Sequence, residues 1–153
     1  MFNIILHEPE IPHNTGAIGR TCAAAGCRLH LIRPLGFSIS ERALKRAGLD
    51  YWHELDVTVY DDLADFAAKN PEARVFYVET CASQRYDKMP YQPGDFFMFG
   101  KETAGLPQEL IDANPTRCVR VPMRRGSRSL NLSVSVGIVL YEALRQNEFV
   151  IPE

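Results

Sequence analysis

Six short apolar runs, separated from one another by helical patterns, constrain the fold of this chain more than any other feature. Phe2-Asn3-Ile4-Ile5-Leu6 reads as the first strand, ended by the breakers Pro9 and Pro12. Residues 28–32, 55–60, 74–79, 95–99 and 117–121 supply five more. Strands alternating with helices imply a largely parallel sheet covered on both faces. Asn14 is placed to cap a helix that runs through Ala23-Ala24-Ala25 and stops at Gly26. Ser38-Ile39-Ser40-Glu41 has capping-box spacing for a short basic helix ending near Gly48. Asp61 opens a helix that stops before Pro71, and Leu106-Pro107 starts another through Glu109-Leu110-Ile111. Within 130–146 the alternation Ser133-Val134-Ser135-Val136 resembles a strand, but the length of the run and its lack of breakers decide for helix. No repeat, low-complexity stretch or linker interrupts the pattern, so residues 1–153 are expected to form a single α/β domain.

Apolar residues cover most of the circumference of the last helix, which predicts burial on more than one side. Ser129, Ser133 and Gly137 are spaced by four and form a small-residue strip that permits close helix approach. An intramolecular contact and an interface between two copies explain that strip equally well.

The formal net charge of −2 conceals a segregated distribution. From Asn14 to Leu49, six basic residues (Arg20, Arg28, Arg33, Arg42, Lys45, Arg46) accompany one acid, Glu41. From Asp50 to Glu72 seven acids accompany Lys69 alone, and from Arg117 to Arg128 five arginines stand with no acid. The total recommends no nucleic-acid partner, yet opposed blocks generate strong local fields. No apolar run approaches the roughly 20 residues of a membrane span. The N-terminus lacks the basic region of a signal peptide. Cys22, Cys27, Cys81 and Cys118 form no CxxC pair, and His7, His13, His30 and His53 complete no zinc pattern. The cysteines read as small buried hydrophobes of a reducing, cytoplasmic compartment, with no metal site.

Ligands of open α/β sheets bind beyond the carboxyl ends of the strands. Three loops there are unusual: residues 8–16 leading into the helix of Arg20, residues 100–107 directly after a strand, and residues 121–131 directly before the last helix. No GxGxxG follows the first strand, and Gly100-Lys101-Glu102-Thr103 lacks P-loop spacing. In the third loop Ser127, Arg128, Ser129 and Asn131 could hold an anionic or polar ligand beside a helix N-terminus. Helix capping by Ser129 or Asn131 with solvated arginines is the plainer alternative, but it leaves five arginines without an acid unexplained, and phosphate contacts explain them better.

Asn14-x5-Arg20, Phe99-Gly-Lys-Glu-Thr-Ala-Gly-Leu-Pro107 and Val121-Pro-Met-x4-Arg-Ser-Leu-Asn131-Leu-Ser together resemble the three motifs of SPOUT-class RNA methyltransferases. The segments 3–16 and Arg46-Ala-Gly-Leu-Asp-Tyr51 narrow the resemblance to small, single-domain TrmL-type members, tRNA (cytidine/uridine wobble) 2′-O-methyltransferases. It extends over about residues 2–146. It implies a SPOUT α/β knot, with the C-terminal segment tied into a trefoil, a rare exception to unknotted topology. It also implies S-adenosylmethionine held largely by backbone groups of Val78, Gly100, Val121, Met123, Ser129 and Leu130. A homodimer with the first and last helices at its interface is implied as well, which tilts the small-residue strip toward a dimer role.

By the same resemblance Arg20 is the central catalytic residue. A guanidinium is not deprotonated in proteins, so anchoring a phosphate and stabilising alkoxide charge is the physically consistent role. Asn131 is a candidate to position the ribose, and Glu102 to order Arg20 or the loop. Arg124, Arg125 and Arg128, assisted by Arg42, Lys45 and Arg46, are candidates for phosphates of the tRNA anticodon arm, leucine tRNAs by resemblance. The alternatives are a non-catalytic knotted RNA- and cofactor-binding module, 2′-O-methylation at another RNA position, and a flavodoxin-like small-molecule enzyme, which the three loops do not support.

Overall fold

All five residues of strand β1 (Asn3–His7) are buried, a pattern that requires neighbours on both edges and cover on both faces. The computed structural model describes every residue except Ala47 and the side chain of Asp50. On one side of β1 lies β2 (Arg28–Ile32), followed by β3 (Val57–Tyr60). The sequence then crosses to the other side, where β4 (Val75–Val78), the two-residue β5 (Gln84–Arg85), β6 (Phe96–Phe99) and β7 (Cys118–Arg120) complete the sheet. The described residues form seven parallel strands in the order β3-β2-β1-β6-β4-β7-β5. Six correspond to the expected strands, Arg28–Ile32 at both ends and the others with ends shifted by at most two residues. The seventh, β5, is exposed and polar, so no apolar run marked it.

Alternating strand residues feed two cores, as the pleat requires. Ile4, Leu6, Leu29, Leu31 and Phe97 meet Ile18 and Cys22 of α1 (Pro12–Ala25) and Val136, Val139 and Leu140 of α5 (Leu132–Gln146). Ile5, Ile32, Val75, Tyr77 and Met98 meet Phe66 of α3 (Leu63–Lys69) and Leu110 and Ile111 of α4 (Gln108–Ala113). The short basic α2 (Glu41–Arg46) inserts only Leu44. Of the segment 46–51, Ala47 lies outside the described residues, as does the immediate approach to the helix end expected near Gly48.

Several helix ends differ from expectation for local reasons. α1 starts at Pro12 after Ile11, so Asn14 is not its cap but a buried residue of its first turn. Gly26 does end α1, in a left-handed conformation with φ 63°. Ser40, rather than Ser38, accepts the Ala43 N–H at 3.3 Å. Asp62, rather than Asp61, caps α3 through the Asp65 N–H at 2.7 Å. α5 begins at Leu132, which leaves Ser129 outside it. A methyl group at Gly137 would meet nothing within 4 Å, so that position of the expected strip is open. Cys22, Cys27 and Cys118 are buried, whereas Cys81 is exposed, against expectation. Among the described residues no helix is long and apolar enough to cross a membrane.

His30 is buried in the second core. Its Nδ1 lies 2.9 Å from the Tyr60 hydroxyl and its Nε2 3.1 Å from Asn3 Oδ1. The amide oxygen can only accept, so the proton belongs on Nε2 and the Tyr60 hydroxyl donates to Nδ1. Burial holds the imidazole down at about 4, Arg28 adding to the effect while Asp56 opposes it. The unfolded chain therefore takes up a proton near pH 6.5 that the folded chain refuses until about 4. The stability difference between wild type and His30→Gln is expected to be constant above pH 6.5. It should shift against wild type by on the order of 3 kcal/mol as pH falls to 4, measured by urea unfolding. A difference that does not change with pH would contradict this assignment.

Candidate functional site

Successive strands lie on opposite sides of β1 and β6, and at such a reversal the loops leaving the carboxyl edge diverge into a crevice. A cavity of about 450 Å³ occupies this edge, a volume suited to a small ligand. Val78, Glu79 and Thr80 enter it from β4, residues 99–105 from β6, Val121 and Met123 from β7, and residues 129–132 with Ser135 from the start of α5. Ile11 and Asn14 close it from α1.

Two glycines shape its wall. A Cβ at Gly100 would collide with the backbone of Gly105 and Leu106, and Gly105 has φ 69° with its Cα facing the Glu79 carboxylate. That carboxylate accepts the Leu106 N–H at 2.9 Å and the Thr80 N–H at 2.9 Å, fixing the far end of the loop to β4.

Reciprocal carboxylate contacts join the first two loops. Glu102 accepts the N–H groups of Glu10 (2.9 Å) and Ile11 (3.2 Å) and the Asn14 amide Nδ2 (3.3 Å), so it serves the N-terminus of α1 that no α1 side chain caps. Glu10 in return accepts the Thr103 hydroxyl at 2.7 Å and N–H at 3.1 Å, contacts that hold its carboxyl below the ordinary range. Lys101 Nζ lies 3.3 Å from Glu8 Oε2. The third loop is tied by one amide. Asn131 Nδ2 donates to Asn14 Oδ1 at 3.1 Å, and Asn131 Oδ1 accepts the Ser133 N–H and hydroxyl and the Val134 N–H. Glu102, Asn14 and Asn131 thus form a continuous chain across the three loops.

Val78, Gly100, Val121, Met123, Ser129, Leu130 and Asn131 all border this one cavity. Arg20 does not. It lies six residues beyond Asn14, about 9 Å further along α1 and on another face. There it borders a separate groove with His13, Leu49, Tyr51, Gly137 and Tyr141. Of the two partners considered for Glu102, the loop is the one it meets. Both ends of the Asn131 amide are committed, so within this chain it acts as a cap and a tie. Arg124, Arg125 and Arg128 are exposed on the loop, which turns at Gly126 with φ 81°. Sequence reasoning gave no role to Glu10, Glu79 or Lys101; acids and a cation clustered in loops at strand ends were the available signal. Among the described residues no group of three or more His, Cys, Asp or Glu could hold a metal ion.

Residues 1–141 match the SpoU rRNA Methylase family. The chain belongs to that family. A tRNA (cytidine(34)-2′-O)-methyltransferase of Escherichia coli K12 is 49% identical over 148 residues, covering 95% of this chain and 94% of the relative. One of Burkholderia pseudomallei is 49% identical over 152 residues, covering 97% of each. A solved structure concerning the 2-OH methylation of C/U34 on tRNA superposes with TM-score 0.89 and 44% identity, covering 97% of each chain. An AdoMet-bound rRNA methyltransferase of Sinorhizobium meliloti superposes with TM-score 0.80 and 26% identity over 94% of this chain and 56% of that one. The seven-stranded parallel sheet is that of SpoU-family methyltransferases.

Removing the Glu102 carboxylate leaves two main-chain N–H groups and an amide without their acceptor. Glu102→Ala is expected to destabilise the fold by about 1–3 kcal/mol in urea unfolding. An unchanged midpoint would show that the clamp carries no stability.

Proposed function

We propose that this SpoU-family chain is an S-adenosylmethionine-dependent methyltransferase acting on the ribose 2′-hydroxyl of nucleotide 34 of tRNA, as a cytoplasmic homodimer. The convergence of all three motif loops on one cavity carries the reading. Its support is the end-to-end similarity to enzymes named for that reaction. The C-terminal trefoil knot of the SPOUT fold belongs to the same reading, supported by loops 121–131 and 100–105 bordering one cavity before α5 enters the core it shares with α1.

The residues present suit such a cofactor. Val78, Val121, Met123 and Leu130 offer apolar surface for an adenosyl group. Among the described residues the stretch 122–130 makes one backbone–backbone hydrogen bond, Ser127 N–H to the Arg124 carbonyl at 3.0 Å, so its remaining main-chain groups are free to recognise a polar ligand. Gly100 lets the facing loop close to backbone contact. When bound, S-adenosylmethionine supplies a methyl group activated on a sulfonium.

The protein must orient a ribose oxygen in line with that methyl group and stabilise the charge that develops as the hydroxyl proton passes to solvent water. Arg20 takes this electrostatic role and anchors the neighbouring phosphate, remaining protonated throughout. Asn131 and Glu102 act by fixing the loops. Because Arg20 and the cavity of one chain are separate, a second copy completes the site, with Arg20 of one protomer facing the cavity of the other. Val134 and Tyr141 of α5 are 50% and 43% exposed on either side of the open Gly137, an apolar strip fitted to such an interface. Arg124, Arg125 and Arg128 contact anticodon-arm phosphates, with Arg42, Lys45 and Arg46 of α2 extending the basic surface.

Transfer of labelled methyl from S-adenosylmethionine to bulk tRNA, followed by mapping of the product, is expected to place a 2′-O-methyl on nucleotide 34, with leucine tRNAs among the acceptors. A methyl group at another nucleotide, or none, would overturn the assignment. Arg20→Ala should lower turnover by on the order of 100- to 1000-fold with cofactor affinity retained. Alanine at Arg124, Arg125 or Arg128 should each reduce the salt dependence of log Kd for tRNA by about 0.7–0.9 while leaving cofactor affinity unchanged.

A further inference from the structure

Two buried glycines of α1 do not border the cofactor cavity. A methyl group at Gly16 would collide with the Leu49 side chain, and one at Gly19 would lie 2.7 Å from Leu55 Cδ1 and 3.6 Å from Trp52 Cζ3. Their bare backbone lets the segment around the 3-10 turn Asp50–Glu54 press directly onto the helix that carries Arg20. This approach brings Tyr51 against α1. Its hydroxyl donates to the Gly16 carbonyl, one turn before Arg20 on the same helix. The Arg20 guanidinium carbon lies 5.6 Å from the centroid of the Tyr51 ring. No carboxylate is among the described residues that line the groove around them.

We infer that Tyr51 is a positioning residue for Arg20 in methyl transfer: anchored to α1 through its hydroxyl, it holds the guanidinium over its ring face. The inference rests on the catalytic reading of Arg20. A flexible arginine loses rotamer freedom when it binds an anion, and a stacked one has already lost part of it. A carboxylate could restrain the side chain equally well, but it would neutralise the charge and occupy the N–H donors. An aromatic face does neither, because it carries no formal charge to neutralise the guanidinium and leaves its N–H donors without a lone-pair acceptor. The Gly16 and Gly19 contacts therefore serve the reaction through the geometry they impose on Tyr51.

The test uses the full-length protein and compares Tyr51→Phe, Tyr51→Leu and Arg20→Ala in methyl transfer to tRNA. The Arg20 Nε–H resonance is recorded by NMR in parallel. Tyr51→Phe keeps the ring but loses the hydroxyl anchor to Gly16, so its kcat is expected to fall between those of wild type and Tyr51→Leu. Tyr51→Leu should lower kcat about tenfold, with KM for S-adenosylmethionine unchanged, and should remove the ring-current shift of the Arg20 resonance. If Arg20→Ala loses turnover while Tyr51→Leu retains it, or if Tyr51→Phe is impaired more than Tyr51→Leu, the positioning role is wrong and the catalytic reading stands. Full turnover in Arg20→Ala would remove the catalytic reading itself, and the inference with it. Should Tyr51→Leu fail to fold, the wild-type spectrum decides: an upfield-shifted Arg20 Nε–H supports the stack, and an unshifted one overturns it.

Discussion

The Glu102 carboxylate is the contact on which the rest of the site depends. It sits in a loop after β6 yet serves the N-terminus of α1, where a helix opened by Ile11-Pro12 has no cap of its own. Its Oε1 also engages Asn14, which engages Asn131, which caps α5. One negative charge placed at a helix N-terminus thus fixes two helices and three loops. Glu10–Thr103 and Lys101–Glu8 also join the first two loops, but among the described hydrogen bonds the third loop reaches them through Asn131 and Asn14.

That chain also explains what the cavity lacks. Asn14 and Asn131 are consumed in holding the loops, and Arg20, whose charge the proposed chemistry requires, lies about a turn and a half further along α1 on another face. The arrangement divides labour along one helix: its first turn organises the cofactor cavity of its own chain, and its middle presents a cation at the opposite groove. The open Gly137 and exposed Tyr141 border that groove. Cofactor binding and catalytic charge become parts of a single site only when two copies meet, in the reading proposed above.

Much of the fold was legible in the residues because buried parallel strands are mainly apolar, and six of the seven are, with polar residues such as Asn3 and His30 paired to each other. The exception, Gln84–Arg85, pairs at the edge with β7 and needs no apolar side chain. Asn14 was misread as a cap because its residue type suits that position; proline at the start of α1 and the distant Glu102 removed the need for it. The cavity-lining residues were reached through resemblance, since apolar side chains that leave recognition to the backbone give no chemical signature. Glu10, Glu79 and Tyr51 were not assigned roles because the partners that matter are 27 to 93 residues away, across contacts that no local pattern encodes. The net charge of −2 obscured the basic loop, and its uneven distribution along the chain, together with the motif resemblance, pointed to RNA.

The central claim is that each active site draws its cavity from one copy and its Arg20 from the other. Mixing protomers tests it most directly. Arg20→Ala would be refolded at equal ratio with Gly100→Ala, whose added methyl displaces the Gly105–Leu106 backbone from the cavity wall. Methyl transfer to tRNA would then be compared with that of each parent alone. Random pairing gives one intact composite site in half of the dimers, so activity should rise to about a quarter of wild type. Activity no greater than the sum of the two parents would contradict the account.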